Sequence, residues 1–536
     1  MKQRQADRNT APNLRQSMSG LHTWVGLLMG WVLYAMFLTG TVSYFKDELS
    51  QWMRPELAHQ TQPVDAALTA QRIVDELMAT VPDSSQWSMR LPNERNNSVY
   101  AFWRTQEGGR RGFAEGHFDP ATGKAISARD TRGGDFFYRF HFQFHYMPVV
   151  WGRWIAGLAA MFMLVAILSG IITHKKIFID FFTFRRGKGQ RSWLDAHNAL
   201  SVFGLPFHLM ITYTGLVTLM ALYMPWGQQA AIQTSAERQQ LSAELSAFLR
   251  PGKPNGEAHA LASVEDMVRQ AQARWGRDNI GTISAVHPAD TASRVSIARG
   301  EFGRASMSPQ YLLFEGSTGK LLEVHDQVGP AAETRGVLYA LHLGRFSDTA
   351  TRWLYFLVSL AGTAMVGTGL VLWTVKRRQK LSSSRRPYFG LWLVERLNIA
   401  GIAGLSVAMT SFLWANRLLP QDLSMRAASE IQVFFIVWAA ALMHALLRPA
   451  RLAWAEQLWM AAALLALLPI LNALTTSRPL WHSLVMNDWV FAGVDMASWG
   501  LAALHGALAW HMGRRRTSIG PRYAGKPRAA PTQEAA

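Results

Sequence analysis

The chain has 536 residues, of which 49% are hydrophobic and only 17% charged, and its formal net charge is +18. Soluble domains carry about 25% charged residues, and long apolar stretches here alternate with polar segments, which excludes one large soluble core. The chain has no cysteine, which excludes disulfides, iron–sulfur clusters and covalently attached c-type haem, so any redox centre must be held non-covalently.

The basic residues cluster beside the apolar stretches, so the high net charge indicates a membrane protein and no nucleic-acid partner is expected. A basic arm that includes Lys2 and Arg15 precedes the first apolar stretch. That stretch is too long for the core of a signal peptide and lacks a small-residue cleavage site. We expect it to be retained as the first membrane helix.

The apolar stretches are close to or longer than the roughly 20 residues that a helix needs to cross a bilayer. The first four are separated by long segments and lie at residues 21–45, 149–173, 195–222 and 352–375. The last four lie close together within 390–512, at residues 390–415, 429–447, 455–474 and 489–512. The sequence therefore predicts a polytopic α-helical membrane protein with about eight spans, surrounded by membrane lipid.

Four segments rich in lysine and arginine alternate with two long polar inserts. The basic segments are 1–20, 174–194, 376–389 and 513–536. Their basic residues include Lys175, Lys176, Arg185, Arg186, Lys188, Arg191, Lys376, Arg377, Arg378, Lys380, Arg385, Arg386, Arg514, Arg515 and Arg516. The positive-inside rule places them all in the cytoplasm. We therefore expect a bacterial inner-membrane protein with cytoplasmic N- and C-termini and with periplasmic inserts at 46–148 and 223–351.

Each insert is predicted to form a small α+β domain. A helix-like pattern at 67–81 or 261–275 is followed by strand candidates such as 98–103 and 294–298. Each insert then contains a Thr-Gly-Lys turn, at Thr122–Lys124 and at Thr318–Lys320.

The two inserts belong to a larger duplication. In span one His22 precedes Gly40 by 18 residues, and in span three His197 precedes Gly215 by 18. Spans two and four open with Arg153-Trp154 and Arg352-Trp353, each 17 residues before a glycine. A helix–ectodomain–helix unit is thus predicted to occur twice in parallel, about a pseudo-twofold axis along the membrane normal.

This pattern, over residues 15–380, resembles the PepSY-associated transmembrane family. Four phrases carry the resemblance: His22-Thr23-Trp24-Val25-Gly26-Leu27, Asp195-Ala196-His197-Asn198, Pro206-Phe207-His208 and Leu341-His342-Leu343-Gly344-Arg345-Phe346. The resemblance implies PepSY-like ectodomains and an iron-regulated inner-membrane protein, and some members resemble di-haem reductases that release iron from siderophores in the periplasm. The last four spans lie outside the pattern.

Histidines near the membrane faces are the candidate ligands, because buried ionisable residues in spans are costly and usually functional. His22 and His197 are repeat-equivalent, and a twofold axis would bring them together at the cytoplasmic side. Two imidazoles that face each other can ligate one haem iron. We predict that they hold an inner haem b, and helix capping or head-group contact is the alternative.

An outer haem b is predicted to lie between His145 and His342. They precede Arg153 by eight residues and Arg352 by ten, so their equivalence is looser. Arg153 and Arg352 would neutralise the haem propionates.

Three further histidines leave alternatives open. His208 lies 11 residues beyond His197, close to mid-membrane, and could bind haem with His145 or His342. His174 could replace either inner ligand, and His141 could form a metal clip with His145 one turn later. In the last four spans His505 is a candidate for a quinone site or a third haem, although a core histidine is the simpler interpretation.

We therefore expect an oxidoreductase that carries electrons through two b-type haems and, by resemblance, reduces a ferric siderophore or another iron chelate. The chain lacks nucleotide-binding glycine motifs, so the electrons would come from membrane quinol or a cytoplasmic reductase. One alternative is a non-enzymatic PepSY protein that regulates a peptidase or another envelope partner. A second alternative is a permease for iron chelates.

Overall fold

The computed structural model describes residues 13–57, 64–93, 95–105, 112–174, 179, 181–185, 187–246, 252–277, 279–381 and 387–514. Much of the predicted arm at 1–20 and tail at 513–536 lies outside these residues. The same holds for Lys175, Lys176, Arg186, Arg385 and Arg386 of the basic loops.

The helices and strands follow one another along the chain in the predicted order. The helices that correspond to the first four predicted spans are α1 (Leu14–Leu28), α2 (Gly30–Ser43), α6 (Val149–Thr173), α7 (Gln190–Phe203), α8 (Leu205–Thr218) and α14 (Thr349–Arg378). Those of the last four are α15 (Phe389–Asn398), a π-helix (Ile399–Gly404), α16 (Leu405–Leu418), α17 (Arg426–Leu447), α18 (Ala450–Thr475) and α20 (Trp489–Arg514). The shorter helices are α3 (Lys46–Trp52), α4 (Ala66–Thr80), α5 (Asp135–Gln143), α9 (Met220–Tyr223), α10 (Pro225–Ala231), α11 (Ser235–Leu245), α12 (Val264–Trp275), α13 (Pro330–Leu343) and α19 (Leu480–Val485).

Within the described residues, five helices are long and apolar enough to cross a membrane, and two bent pairs raise the number to seven. The protein is therefore a multi-pass membrane protein. The helix over the eighth predicted span, α20, is not among these seven, so the count of eight stays a prediction.

The first and third spans were each predicted as one straight helix, but each is broken into two helices. The bends are 65° between α1 and α2 and 68° between α7 and α8. The second break lies at Gly204, two residues before Pro206, which lacks a backbone N–H for the helix ladder. At the first break Gly30 lies so close to α14 that a Cβ would be 2.5 Å from Leu370 Cδ2.

The two inserts form one antiparallel sheet of eight strands. Its strands, in chain order, are β1 (Gln86–Arg90), β2 (Val99–Arg104), β3 (Phe113–Phe118), β4 (Ala125–Ile126), β5 (Ile280–Val286), β6 (Arg294–Arg299), β7 (Tyr311–Glu315) and β8 (Leu321–His325). The order across the sheet is β4-β3-β2-β1-β5-β6-β7-β8. The expectation of two separate small domains is thus corrected, because strand pairing continues from one insert into the other.

The middle of the sheet lies where the two innermost strands meet. β1 pairs antiparallel with β5, and Ser88 is directly opposite Ser284, which is 196 residues later in the chain. The Thr-Gly-Lys turns of the two inserts are separated by the same 196 residues. Strands one to four and strands five to eight therefore run outward in the same order from the Ser88–Ser284 pair.

One face of the sheet is covered by α4 and α12, which pack against each other and against apolar strand residues. Trp87, Met89, Ile283 and Phe314 are almost fully buried in this core. Burial of each such side chain contributes about 1.5–3 kcal/mol, so the shared core stabilises both inserts together.

The last four predicted spans pack beside α2 and α14 as an appended bundle, and their outer ends meet the base of the sheet. Arg426 and Glu430 are fully buried there and form an ion pair. Glu430 also accepts hydrogen bonds from Thr131 and from Asn416. This polar junction fixes the bundle to the insert that precedes α5.

Candidate functional site

His22 of α1 and His197 of α7 meet at one end of the helical bundle. Their ring centroids are 6.2 Å apart. His22 Nδ1 lies 2.8 Å from the carbonyl of Ala166, and His197 Nδ1 lies 2.9 Å from the carbonyl of Met365. Because Nδ1 of each ring is used by a backbone carbonyl, Nε2 is the nitrogen through which each ring can bind a metal.

The two rings have equivalent surroundings. The two acceptor carbonyls, Ala166 and Met365, are 199 residues apart, as are Gly170 and Gly369. A Cβ on Gly170 would lie 3.2 Å from His22 Cε1, and a Cβ on Gly369 would lie 3.2 Å from His197 Cε1. The predicted meeting of His22 and His197 is therefore present, and glycine makes room for both rings.

A second pair of histidines lies toward the sheet, where α5 and α13 end. The ring centroids of His141 and His342 are also 6.2 Å apart. His141 Nδ1 lies 2.6 Å from the carbonyl of Met36, and His342 Nδ1 lies 3.1 Å from Thr214 Oγ1.

Glycines again leave room for the rings of this second pair. A Cβ on Gly40 would lie 2.8 Å from His141 Cε1, and a Cβ on Gly215 would lie 2.9 Å from His342 Cε1. Gly40 and Gly215 are 175 residues apart, as are His22 and His197. The outer pair thus repeats the arrangement of the inner pair.

The partner of His342 is His141 and not His145, which corrects the predicted pairing. The His145 ring stacks on Phe435 with centroids 5.7 Å apart and makes an edge contact with Phe136 at 6.1 Å. His145 therefore packs between α5 and the appended bundle. The metal clip of His141 with His145 is also excluded by these positions, since His141 faces His342.

The spacing within each pair would let both imidazoles hold one iron. A metal–imidazole bond is about 2 Å long. Two imidazoles bound to one metal would therefore have nitrogens up to about 4 Å apart and ring centroids farther apart, which the 6.2 Å seen twice allows.

Each histidine pair offers two imidazole ligands. Among the described residues no group of three or more His, Cys, Asp or Glu side chains could hold a metal ion. A bare zinc ion requires about four ligands, whereas two imidazoles would be enough to hold a haem iron.

A cavity of about 400 Å³ lies beside His141 and His342, within the size range of small-molecule and cofactor sites. Its inner wall is apolar and includes Leu33, Met36 and Met163. At its mouth it is lined by four basic residues and one acid, namely Lys46, Arg95, Arg153, Arg345 and Asp47.

Most basic residues at the mouth of this cavity are paired with acids. Lys46 pairs with Asp47 and Asp135, Arg95 pairs with Asp47 and Glu48, and Arg345 pairs with Glu301. Burial alone would raise the pKa of Asp47, but these cations lower it. Among the described residues Arg153 forms no ion pair and donates to the Gln143 side chain at 3.3 Å, so it is the cation best placed to bind a carboxylate.

The two arginines predicted for the propionates lie in different places. Arg153 lines the cavity, and its buried Nε has no hydrogen-bond partner among the described residues. Arg352 does not line it, because Nη1 donates to Glu48 Oε1 at 2.5 Å and the guanidinium lies over the Phe45 ring. The propionate role predicted for Arg352 is therefore not supported by its position, whereas the position of Arg153 remains compatible with that role.

His208 is buried near the middle of the bundle, next to Phe37 and Phe207. Neither of its ring nitrogens has a hydrogen-bond partner within the described part of the chain. A Cβ on Gly362 would lie 3.0 Å from its Nε2. Among the described residues the ring contacts found for His208 are those with Phe37 and Phe207, so its suggested haem pairing with His145 or His342 stays a prediction.

His174 lies at the C-terminal end of α6, one turn beyond Gly170. It is close enough to interact electrostatically with both His22 and His197. It is therefore a neighbour of the inner pair, and its predicted role as a substitute ligand stays a prediction.

Sequence reasoning did not pair His141 with His342 and did not find the charged residues that line the cavity. His141 precedes Arg153 by 12 residues and His145 precedes it by eight, whereas His342 precedes Arg352 by ten. Both candidates are thus two residues out of register, so spacing could not separate them. The His141–Gly40 contact depends on tertiary packing.

The sequence was compared with known proteins. The pattern of the family described as the PepSY-associated TM region matches residues 19–376. A Pseudomonas aeruginosa protein that is described as uncharacterized is 26% identical over 318 residues, which cover 56% of this chain and 76% of that protein. Both histidine pairs lie within the matched family region, whereas α16 to α20 lie beyond it.

Proposed function

This chain belongs to the PepSY-associated TM region family, and on that premise we propose that it is an inner-membrane oxidoreductase that carries electrons through two b-type haems to a periplasmic ferric chelate. The observation that supports this most is the repetition of one histidine arrangement at two depths. In both pairs the centroids are 6.2 Å apart and the rings lie against glycines.

The inner haem would be held by His22 and His197, and the outer haem by His141 and His342. When bound, haem b supplies one-electron iron redox chemistry at each position. The protein's own residues fix ring orientation, since the carbonyls of Ala166, Met365 and Met36 take the Nδ1 hydrogens. This contact also increases the basicity of the ligating nitrogen.

Residues at the mouth of the outer cavity have two tasks in this proposal. Arg153, for which the described residues include no ion-pair partner, would hold a carboxylate by a charge-assisted hydrogen bond. The apolar wall formed by Leu33, Met36 and Met163 excludes water from the space beside the histidines. Exclusion of water and fixed positive charge both influence the reduction potential of a bound cofactor.

The direction of transfer follows from the proposed topology. The His141–His342 pair lies on the side of the sheet, and the His22–His197 pair lies on the side of the basic loops. With the sheet in the periplasm and both termini in the cytoplasm, electrons enter at His22 and His197 and leave at the sheet side. The strands of the two inserts are, in this proposal, two PepSY-like halves of one sheet.

The substrate is proposed by family resemblance to be a ferric siderophore, an iron chelate that binds ferrous iron weakly. Reduction of the iron to the ferrous form would then release it.

Proteoliposomes test this proposal. With dithionite enclosed on one side and a ferric hydroxamate plus a ferrous-iron dye on the other, we expect ferrous iron to appear only when the protein is present. The H141A/H342A variant should abolish the signal, whereas H145A should retain it. Equal dye formation in the H141A/H342A variant and the unmodified protein would refute the proposed route.

A further inference from the structure

The appended bundle carries a polar group on its surface at the end away from the sheet. His444 is one turn before the end of α17, and its Nε2 lies 2.8 Å from Glu456 Oε2 of α18. The Gln457 side-chain amide donates to His444 Nδ1 at 3.2 Å. Arg448 Nε also donates to Glu456 at 3.1 Å.

This group lies at the border between apolar and basic exposed side chains. The side chains of His444 and Glu456 are 35% and 36% exposed. Met443, Leu447 and Met460 of the same two helices are exposed on one side, and Arg448, which pairs with Glu456, is exposed on the other. Apolar and basic residues meet in this way where a helix leaves the membrane, so the histidine–glutamate pair lies at the level at which the head group of a lipid-soluble ligand would lie.

A buried acceptor lies directly behind the pair. Gln457 Oε1 is buried and has no donor among the described residues. It faces the π-helix, where a Cβ on Gly404 would be 3.1 Å from it. π-Helices are rare and occur frequently at functional sites, and a ligand hydroxyl could satisfy this oxygen.

The π-helix connects this group to the inner histidine pair. Asn398, at its start, donates from Nδ2 to the carbonyl of Leu370 at 3.0 Å. Leu370 follows Gly369, against which the His197 ring lies. Trp31 Nε1 of α2 donates to Asn398 Oδ1 at 2.9 Å. The π-helix and α14 thus lie between this group and His197.

We propose that His444, Glu456 and Gln457 form the site at which a membrane quinol is oxidised to supply electrons to the inner histidine pair. A quinol is the ligand class that fits, because it is lipid-soluble and presents hydroxyl groups at the membrane interface. The inference rests on the proposed function, for which it supplies the electron donor.

The proposed oxidation of a quinol needs a proton acceptor and an electron acceptor. Oxidation of one quinol to a quinone breaks two O–H bonds and releases two protons and two electrons. The Glu456 carboxylate accepts the protons in turn, held in place by His444 and Arg448, and passes each to cytoplasmic water. The two electrons would leave one at a time toward the His22–His197 pair, where a haem b held by these residues would supply a one-electron acceptor that is used twice for each quinol.

Photolabelling tests the site independently of haem. The full-length protein in lipid nanodiscs, labelled with an azido-quinone, should carry the label on peptides from α17 and α18, with protection by excess ubiquinone. E456Q should lose most of the label. H482Q is the control, since His482 lies in α19, which connects α18 to α20 at the end of the bundle opposite His444, and it should label normally. Label elsewhere, or label unaffected by E456Q, overturns the site.

Reduction by quinol gives the second test. In the same nanodiscs decylubiquinol should reduce the haem of the unmodified protein, and reduction should be about 100-fold slower in E456Q and H444Q. Dithionite should reduce all variants fully. Equal rates with quinol in E456Q and the unmodified protein overturn the site. A protein without haem refutes the proposed function instead, and the photolabel then still decides the quinone site.

Discussion

At the scale of residues, each paired histidine is positioned by a contact to another helix. The Nδ1 atoms of His22, His141 and His197 face backbone carbonyls, whose positions are set by the helices themselves. Backbone acceptors cannot rotate away as side chains do, so ring orientation is coupled to helix packing. A ligand pair held in this way is pre-organised and needs little rearrangement when iron binds.

The glycines opposite the histidine rings are predicted to be as important for haem binding as the histidines themselves. In Gly40→Val the added side chain occupies the place of the His141 ring, since a Cβ would already be 2.8 Å from it. We expect the affinity of the outer site for haem to fall on the order of 10- to 100-fold while all histidines remain. Haem titration of the apoprotein measures this.

The control for this variant is Gly26→Val in α1, where a Cβ would meet nothing within 4 Å. It should leave haem affinity unchanged. If Gly40→Val binds haem as tightly as the unmodified protein does, the His141 ring is not held where the structure places it.

The sequence predicted the residue types of the site better than their partners. His22 and His197 could be paired because the repeat fixed their equivalence. Arg352 was predicted to face a propionate, but Glu48 binds it, and Glu48 is separated from it by 304 residues. Such long-range pairs depend on how the helices pack, which spacing along the chain does not show.

At the scale of elements, hydropathy located the membrane helices because bilayer thickness fixes their length. The predicted span 149–173 coincides with α6. Hydropathy carries no information on direction, so the bends near Gly30 and Gly204 were not predicted, although Pro206 is a signal for the second. The pairing of β1 with β5 was also not predicted, because strand partners far apart in sequence leave no local pattern.

The fused sheet leads to a prediction that the absence of native cysteine makes simple to test. In S88C/S284C the two thiols face each other across the β1–β5 pair, and Cα atoms of paired strands lie within the 4.4–6.8 Å that a disulfide spans. We expect nearly complete intramolecular disulfide formation on mild oxidation, measured by thiol labelling and mass spectrometry.

S88C/S296C provides the comparison for this experiment. Ser296 is opposite Ser284 on β6, so it lies two strands, or about 9.6 Å, from Ser88. It should not form a disulfide. Efficient cross-linking in this variant, or none in S88C/S284C, would contradict the observed strand order.

At the scale of the whole molecule, the buried ion pair of Arg426 and Glu430 joins the appended bundle to the sheet side of the protein. Arg426 also donates to the carbonyl of Asp130 at 3.0 Å, and Arg129 donates to the carbonyl of Asn416 at 2.8 Å. The bundle is therefore attached to the rest of the protein at its outer end as well as through its chain connection to α14.

Loss of this junction should destabilise the protein markedly. Arg426→Ala leaves Glu430 buried without its cation, which costs about 3–5 kcal/mol. Thermal unfolding in detergent should therefore begin at a clearly lower temperature.

Arg269→Ala is the matched control for the junction variant. Its i,i+4 partner is Glu265, but the Arg269 side chain is 47% exposed, so the cost should be at most about 1 kcal/mol. Equal melting of the two variants would show that the Arg426 junction does not hold the bundle in place.

The twofold arrangement, the glycines and the outer cavity all support the proposal that two pairs of imidazoles each hold a haem. The most direct test is the ratio of haem b to protein in the purified chain and two double variants. We predict two haems per chain, one in H22A/H197A, one in H141A/H342A and two in H145A. A chain that contains no haem when haem is supplied, or an H141A/H342A variant that retains both, would contradict this account.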